Sequence, residues 1–576
     1  MKKLISLMLT MAILSSLLVG CNSGTNDSTT PETTTSDSNA EKTASSDTAS
    51  EDTVAGADSD VITEFSVQVA TAPDTIDPQL NSSSDGGTYL THLNEGLYRY
   101  NWAGDGVELG LAKSVEESVD EDGNTVLTFI IREDALWSDG KDLTANDFLY
   151  TIQRFLDPDT AAYYAADMGK YILNGEAVAA GEKEMKELGV AALDEDTLQI
   201  TLEGTCSFYD EIFAFPTYYP VRQDIIEEYG AEWTKNPESY ITAGPYKMTG
   251  FSVDEHLTME INQYYYESDA LVATQVTWEF LNDTAALTAL KAGEIFLMRD
   301  PAIEEWASLE ASGMGYLAPT LGTYYLSFNI ENDLLSDVDI RKALTLAIDR
   351  EYIADVIMQG TVLEAEAMVG TGFTDENGKD FRSTSNTVSY VSTDNYEAQL
   401  EEAKAALAEA GYANGEGLPT IEYMYNDTTV HKLIAEALQN MWQEELGITV
   451  ELAVQEWNVF QETRNSGDFT VARNGWLTDY NDPLSMLGLF TTESGNNVGN
   501  YANEKFDSLI SIAASSSDAA ERMQAMRDAE DLLIGEDWAI SPIYYYATRY
   551  AVDPAFKDWT AVPVGYTLLH LAYLEK

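Results

Sequence analysis

Basic residues are scarce in this chain. Lys and Arg number 31 against 98 Asp and Glu over 576 residues, a net charge of −67 and a pI near 4.1. Such a field repels nucleic acid and anionic lipid headgroups, so neither is expected as a partner surface. Its plainest reading is solubility outside the cell. Histidine is scarcer still: His92, His256, His431 and His570 are all there is, and no pair has metal-ligand spacing. No metal and no cofactor is therefore expected. Of the two cysteines, Cys206 has no histidine near it and reads as a small buried hydrophobe. The chain also lacks a G-x-x-x-x-G-K-[ST] phosphate loop, a G-x-G-x-x-G turn, a G-x-S-x-G elbow and an H-E-x-x-H helix. These absences favour binding over catalysis, and the chain is expected not to be an enzyme. Acidic pairs carry no information among so many carboxylates. The runs DEDGNT at 120–125 and DENGKD at 375–380 resemble calcium loops faintly. Neither reaches a Glu at the twelfth position, and both read as Asp/Asn-Gly turns.

What is present begins with an export signal. Lys2 and Lys3 precede an uncharged apolar stretch, 4–19, and then Leu18-Val19-Gly20-Cys21. That tetrapeptide resembles a bacterial lipobox. The resemblance implies a signal peptide over 1–20 and diacylation of Cys21, which becomes the new N-terminus. Two acyl chains satisfy the two-signal requirement for stable anchoring. A transmembrane anchor is the competing reading, for which the apolar stretch is short. With Cys21 acylated, no intrachain disulfide is expected. Residues 21–60 are mostly Ser, Thr, Asp, Glu, Asn and Ala. Such a segment buries too little to offset its chain entropy and reads as a disordered tether.

The chain as a whole is 44% hydrophobic and 11% aromatic, as a folded protein is. Its length suits roughly three to four domains. Phe65, Val67 and Val69 alternate as a half-buried strand, so regular structure is expected from Val61. Residues 126–132 are β-rich. Thr144 and Asp147 form a capping box before Phe148, Ile152 and Phe155 at helical spacing. Ser336 and Asp339 form a second box, ahead of a helix carrying Leu344, Ile348 and Val356 and stopping at Gly360. The clearest unit is 420–454. Ile421, Tyr423 and Tyr425 alternate, an amphipathic helix follows to Gly447, and Ile448, Val450, Leu452 and Val454 alternate again. Strand, helix, strand with short connections is a βαβ unit with parallel pairing, so the fold class is α/β. No internal repeat is visible.

Four stretches resemble the oligopeptide-binding proteins of bacterial ABC importers. They are LWSDGKDLTANDFLYTIQRF at 136–155; A-G-P-Y at 243–246 with N-Q-Y-Y at 262–265; S-F-N at 327–329 with D-I-R-K-A-L-x-x-A-I-D-R at 339–350; and QEWNVFQETRNSGDFTVARNGWLTDYNDP at 455–483 with SPIYYY at 541–546. With the spacing between them they cover essentially all of 61–576. The resemblance implies a bilobal periplasmic-binding-protein-like fold, two hinge-linked α/β lobes with an inserted extra domain. Lobe I is placed at 61–93, 239–295 and 547–576, the inserted domain at 94–238 and lobe II at 296–546. The implied function is extracytoplasmic capture of short peptides in the inter-lobe cleft and delivery to ABC importer permease subunits. The protein is expected to be a monomer, held on the outer face of the cell membrane, extracellular or periplasmic, by its lipid alone.

The resemblance also implies site residues. Asp479 matches the carboxylate that pairs with the ligand's α-ammonium, with Asp482 of the same turn in reserve. On spacing alone, Asp479 reads better as a cap of the Asp-Tyr-Asn-Asp-Pro turn. Arg473, Arg464 and His431 match positions on the carboxylate side of the ligand, where an Arg fork suits bidentate recognition. Trp457, Trp476, Tyr164 and Tyr546 match aromatic residues of the cleft wall, and Gly475 lies beside them. Three positions depart from the best-known pattern. Asn81 replaces an acid, Asn332 a lysine, and Leu477 a small residue whose backbone meets the peptide. Two other readings stay open: the same fold holding a metal chelate, opine or oligosaccharide, and an exported hydrolase.

Overall fold

The computed structural model describes residues 61–576 apart from 69–71, 74, 207, 254, 385–390, 392–394 and 479. The export signal, Cys21, the tether, Val69 and Asp479 lie outside the described residues. Among those described, no helix is long and apolar enough to cross a membrane.

An eleven-stranded mixed sheet organises the chain. In chain order its main strands are β1 (Glu64–Gln68), β2 (Tyr246–Ser252), β3 (His256–Ile261), β4 (Gln275–Glu279), β5 (Leu297–Arg299), β6 (Gly315–Phe328), β7 (Ile421–Asn426), β8 (Val450–Gln455), β9 (Val471–Leu477) and β10 (Ile540–Val552). In space they run β8-β7-β9-β6-β10-β5-β1-β4-β3-β2, and the short strand Leu363–Glu364 joins β10 from the side. The order explains the α/β class. Phe65 and Val67 turn inward as the alternation predicts, and β1 runs parallel to β4 and β5. The 420–454 unit is the expected βαβ: β7 and β8 pair in parallel, Ile421 opposite Val450, across the helix Thr429–Leu446. Gly447 closes that helix at φ 70°, a conformation glycine adopts without a Cβ clash.

The two longest strands tie the lobes together. Near Gly315–Pro319, β6 pairs with Ala547–Ala551 of β10. Farther along, Thr323–Ser327 pairs with Ile540–Tyr545, and the register slips between Pro319 and Thr323. One end of this ribbon lies beside β5 and β1, the other beside β9 and β7. A separate four-stranded antiparallel sheet forms from Ala112–Val119, Thr125–Ile131, Val190–Ala192 and Thr197–Thr201. Its core of Phe129, Trp137, Phe148, Phe155 and Phe213 is distinct from the Tyr423–Trp442 core of one lobe and the Phe65–Trp278 core of the other. The fold is thus bilobal with an extra domain.

The helix Ala145–Leu156 starts as its sequence demands. The Asp147 carboxylate accepts from the Thr144 backbone N–H at 2.8 Å and hydroxyl at 3.0 Å, and Phe148, Ile152 and Phe155 are buried. The second expected box differs. The N-cap is Asp337, which accepts from the Asp339 N–H at 3.0 Å, while the Ser336 hydroxyl is spent on the Asp333 carbonyl. Aspartate caps as well as serine does, so the start moves by one residue. The helix also ends early, spanning only Val338–Leu346. A separate π-helical turn, Tyr352–Ile357, follows, with Asp349 accepting the Tyr352 N–H. Between them the buried Arg350 guanidinium donates to the carbonyls of Thr345, Ile348 and Pro542. Val356, expected on the apolar face, is exposed. The chain does leave helical geometry by Gly360, at φ 71°.

Both Asp-Gly runs are turns. Asp120 accepts from the backbone of Asp122 and Asn124, Asp375 from that of Asn377 and Lys379. Cys206 is buried, as expected, and burial pushes its thiol pKa up to about 12.

Candidate ligand-binding cleft

Strand β9 supplies the site. Alternation puts Arg473, Gly475 and Leu477 on one face and Asn474 and Trp476 on the other. Register against β6 sets Arg473 opposite Leu326 and Gly475 opposite Tyr324. The Arg473 Nε donates to Asn426 Oδ1 at 2.8 Å, and Nη2 lies 3.1 Å from His431 Nε2. Its guanidinium sits 5.6, 5.7 and 5.8 Å from the ring centres of Phe460, Trp457 and Tyr324, within cation–π range. Arg464 reaches from the helix Trp457–Asn465, donates to Asn474 Oδ1 at 2.8 Å, and lies 5.4 Å from Phe460. Its Nε is buried with no hydrogen-bond partner among the described residues.

Neither guanidinium has a salt-bridge partner among the described residues. Two neighbouring cations repel, so in a chain with three acids for every base this pair is left in want of an anion. The strain is visible in the protonation equilibria. Burial, with the Arg473 charge adding to it, holds Arg464 below the usual arginine range. Burial and then the same charge pull His431 down to about 4.

Aromatic rings wall the cation pole. Tyr324 stacks on Tyr544 at 4.7 Å, and Tyr544 meets Tyr546 edge-on at 5.5 Å. Gly475 leaves room for this ring, since a Cβ at 475 would press on the Tyr546 hydroxyl and make that side chain shift. Trp457 is 45% exposed and so presents a free face.

Two cavities adjoin beyond β9. One of about 460 Å³ is lined by Tyr164, Asp167, Tyr171, Trp476 and Tyr480 among others. Trp476 brings to it a buried Nε1 with no hydrogen-bond partner among the described residues. The second, of about 160 Å³, is lined by Asn81, Ser83, Tyr164, Leu477 and Thr478 among others. Tyr164 is common to both. The residues flanking Asp479 each line one: Thr478 the smaller, Tyr480 the larger. Asn81 shapes the N-terminus of the helix Ser84–Leu93, its amide donating to the Ser83 carbonyl at 3.0 Å. Of the sequence-derived site residues, then, Arg473, Arg464, His431, Trp457, Gly475 and Tyr546 form one group. Asn81, Tyr164, Trp476 and Leu477 surround the adjoining cavities.

Asp482, the reserve anchor, is already engaged. Both its oxygens accept from Arg522, at 2.6 and 2.7 Å, and Oδ1 also accepts the Leu484 N–H at 2.8 Å. The pair is buried, with side-chain exposures of 5% and 4%. Asp482 is therefore a structural acid and is not free for a ligand cation. Sequence reasoning also missed Asn426, Tyr324, Phe460 and Asn474. Phe460 follows Trp457 at helical spacing, and that was a readable signal. The others meet the arginines across strand register, which spacing along the chain does not reveal.

A further acid meets the backbone of Asn481. Glu211 is 8% exposed, and its Oε2 has no hydrogen-bond partner among the described residues. Burial, then the charge of Asp210, pushes its pKa up to about 8, with the Asn481 backbone amide pulling the other way. An acid with a raised folded pKa stabilises below its unfolded value near 4.5, and that stability is lost as pH rises to 8. Glu211→Gln removes the loss. It should raise the urea midpoint at pH 8, where each tenfold difference in proton affinity between the folded and unfolded states is worth ~1.4 kcal/mol, and the gain should fade toward pH 4.5. A gain equal at both pH values would mean that Glu211 does not titrate in this window.

Comparison with known proteins places the geometry in a class. Residues 106–498 match the bacterial extracellular solute-binding proteins, family 5, middle region. The chain belongs to that family, one of substrate-binding proteins. Among curated relatives, the oligopeptide-binding protein OppA of Bacillus subtilis strain 168 is 31% identical over 528 residues, 90% of this chain and 94% of that one. Among solved structures, the unliganded open form of the periplasmic murein tripeptide-binding protein MppA matches with TM-score 0.78 at 29% identity, over 89% of this chain and 97% of that one. Haemophilus influenzae OppA in complex with RPPGFSPFR matches with TM-score 0.66 at 28% identity, over 89% and 99%.

Proposed function

We propose that this protein captures short peptides in the cleft beside β9 and passes them to an ABC-type permease. The observation that carries the reading is the pair Arg473 and Arg464, two guanidiniums without a salt-bridge partner among the described residues of a strongly acidic chain. Their fork geometry and aromatic surroundings suit a peptide carboxylate. At the other end Asp479 takes the α-ammonium, and Asn81, Tyr164, Trp476 and Leu477 line the space between or beside the two ends. Main-chain pairing along the cleft gives affinity without reading sequence. The relatives' names, which specify oligopeptides and a murein tripeptide, support the ligand class.

Capture proceeds by closure of the lobes about the β6–β10 ribbon. The better match to an open unliganded form than to a peptide complex, at nearly equal identity, supports an open arrangement here. Ligand then selects the closed state, which presents both lobes to the permease. The three separate cores support two lobes and an inserted domain, with lobe I extending past 61–93, 239–295 and 547–576 into the ends of 94–238 and 296–546, because Tyr219, Val221, Trp233, Leu297 and Ala318 pack in the Phe65–Trp278 core. The protein acts as a monomer without cofactor or catalysis, tethered on the outer face of the membrane through acylated Cys21.

Calorimetry with a tetrapeptide and its N-acetyl form tests the proposal. The free peptide binds, acetylation weakens it by orders of magnitude, and the peptide is recovered intact. Equal affinity for the two forms removes the role given to Asp479; no binding of any short peptide removes the function.

A further inference from the structure

The bond between Arg473 and His431 has only one possible direction. A guanidinium nitrogen has no lone pair to offer, so Arg473 donates and His431 Nε2 accepts across 3.1 Å. The ring proton of His431 must then sit on Nδ1, which lies 3.5 Å from the Tyr324 hydroxyl. A neutral ring also suits its place. His431 stands in the first turn of Thr429–Leu446, its backbone N–H held by the Thr428 hydroxyl at 3.1 Å. The positive end of a helix dipole disfavours a cation there. The charged group facing the ring is Arg473, and its titratable neighbour is Tyr324.

Arg473 is thereby fixed at two of its three nitrogens. Asn426 holds Nε and His431 holds Nη2, while Nη1 makes no hydrogen bond with a described residue. We propose that His431 is a positioning residue. As a neutral acceptor it orients the Arg473 fork so that Nη1 meets the ligand's carboxylate, and it does not itself serve as a cationic contact. The inference rests on the reading that a peptide carboxylate binds at Arg473. It assigns His431 a place one step behind the ligand, where a positively charged ring would break the bond to Arg473 and set two cations together.

The test uses the whole protein, a tetrapeptide acid and the same peptide as its C-terminal amide. His431→Ala should weaken the acid about tenfold and leave the amide unchanged, the loss of one charge-assisted bond's worth of orientation. His431→Gln, whose side-chain oxygen can stand in for Nε2, should recover most of that loss. Wild-type affinity for the acid should be flat between about pH 7 and 5.5, with no proton taken up on binding, because the ring stays neutral. Tighter binding with proton uptake as pH falls would make His431 a direct cationic contact and overturn the inference. So would an acid-to-amide ratio that His431→Ala leaves unchanged while Arg473→Ala collapses it. If Arg473→Ala also leaves that ratio unchanged, the carboxylate end has been misplaced, and the underlying reading falls with the inference.

Discussion

Asp479→Asn is expected to weaken binding of a free short peptide by roughly two to three decades while leaving binding of its N-acetyl form at the same low level. The size follows from desolvation. An α-ammonium enclosed by closing lobes loses its hydration and needs a fixed anion. Removing one partner of a buried charge pair costs ~3–5 kcal/mol, because the other is left uncompensated. Asparagine keeps the volume and one acceptor oxygen, so the loss reports the charge. The residues on either side of Asp479 in sequence are themselves held by hydrogen bonds and ring packing. The Thr478 hydroxyl lies 2.5 Å from the Tyr480 carbonyl and 2.6 Å from the Ser485 hydroxyl, and the Tyr480 ring stacks on Phe208 at 4.9 Å. Calorimetry on the variant, with an unchanged urea midpoint as fold control, decides the matter. Wild-type affinity for the free peptide would transfer the ammonium site elsewhere.

The sequence disclosed periodic things and hid cross-strand ones. The 421–455 unit was readable because its strands alternate and its helix is amphipathic, each within one short window. The helix from Val338 was misread beyond Leu346 because Ile348 and Val356 keep an apolar spacing that the chain does not follow. What breaks it is Arg350, whose partners include Ser541 and Pro542, some 190 residues away in sequence. The site divides in the same way. Arg473 and Trp457 were found because their motif resembles a family pattern. Asn426 and Tyr324, which fix Arg473 from β7 and β6, carry no local signal. Asp482 was the harder error. Among 98 acids one buried carboxylate is invisible until its arginine, 40 residues on, is seen beside it.

That same pair gives the largest expected loss of stability. Arg522→Ala leaves Asp482 buried without its countercharge, and ~3–5 kcal/mol should disappear from unfolding in urea near neutral pH. Some of this is packing, since the Arg522 guanidinium covers Phe208 at 5.0 Å. The charge component can be separated by pH. Deprived of arginine, Asp482 is a carboxyl in a dry site, where burial disfavours its charged form. Such a group costs little while protonated and progressively more as rising pH ionises it. The deficit of Arg522→Ala should therefore shrink between pH 7.5 and 4.5, and Asp482→Asn in the same background should shrink it at every pH in that range. Arg522→Met, which keeps the stem over Phe208, should share the pH-dependent part of the deficit and lose less of the rest. A deficit that ignores pH and is unmoved by the second substitution would make the pair incidental to the fold. The consequence for binding follows from the position of Asp482, three residues beyond Asp479 in the sequence and at the end of the turn that begins at Tyr480. Loss of the Arg522 brace should loosen that turn, so Arg522→Ala should also weaken capture of free peptides more than that of N-acetylated ones.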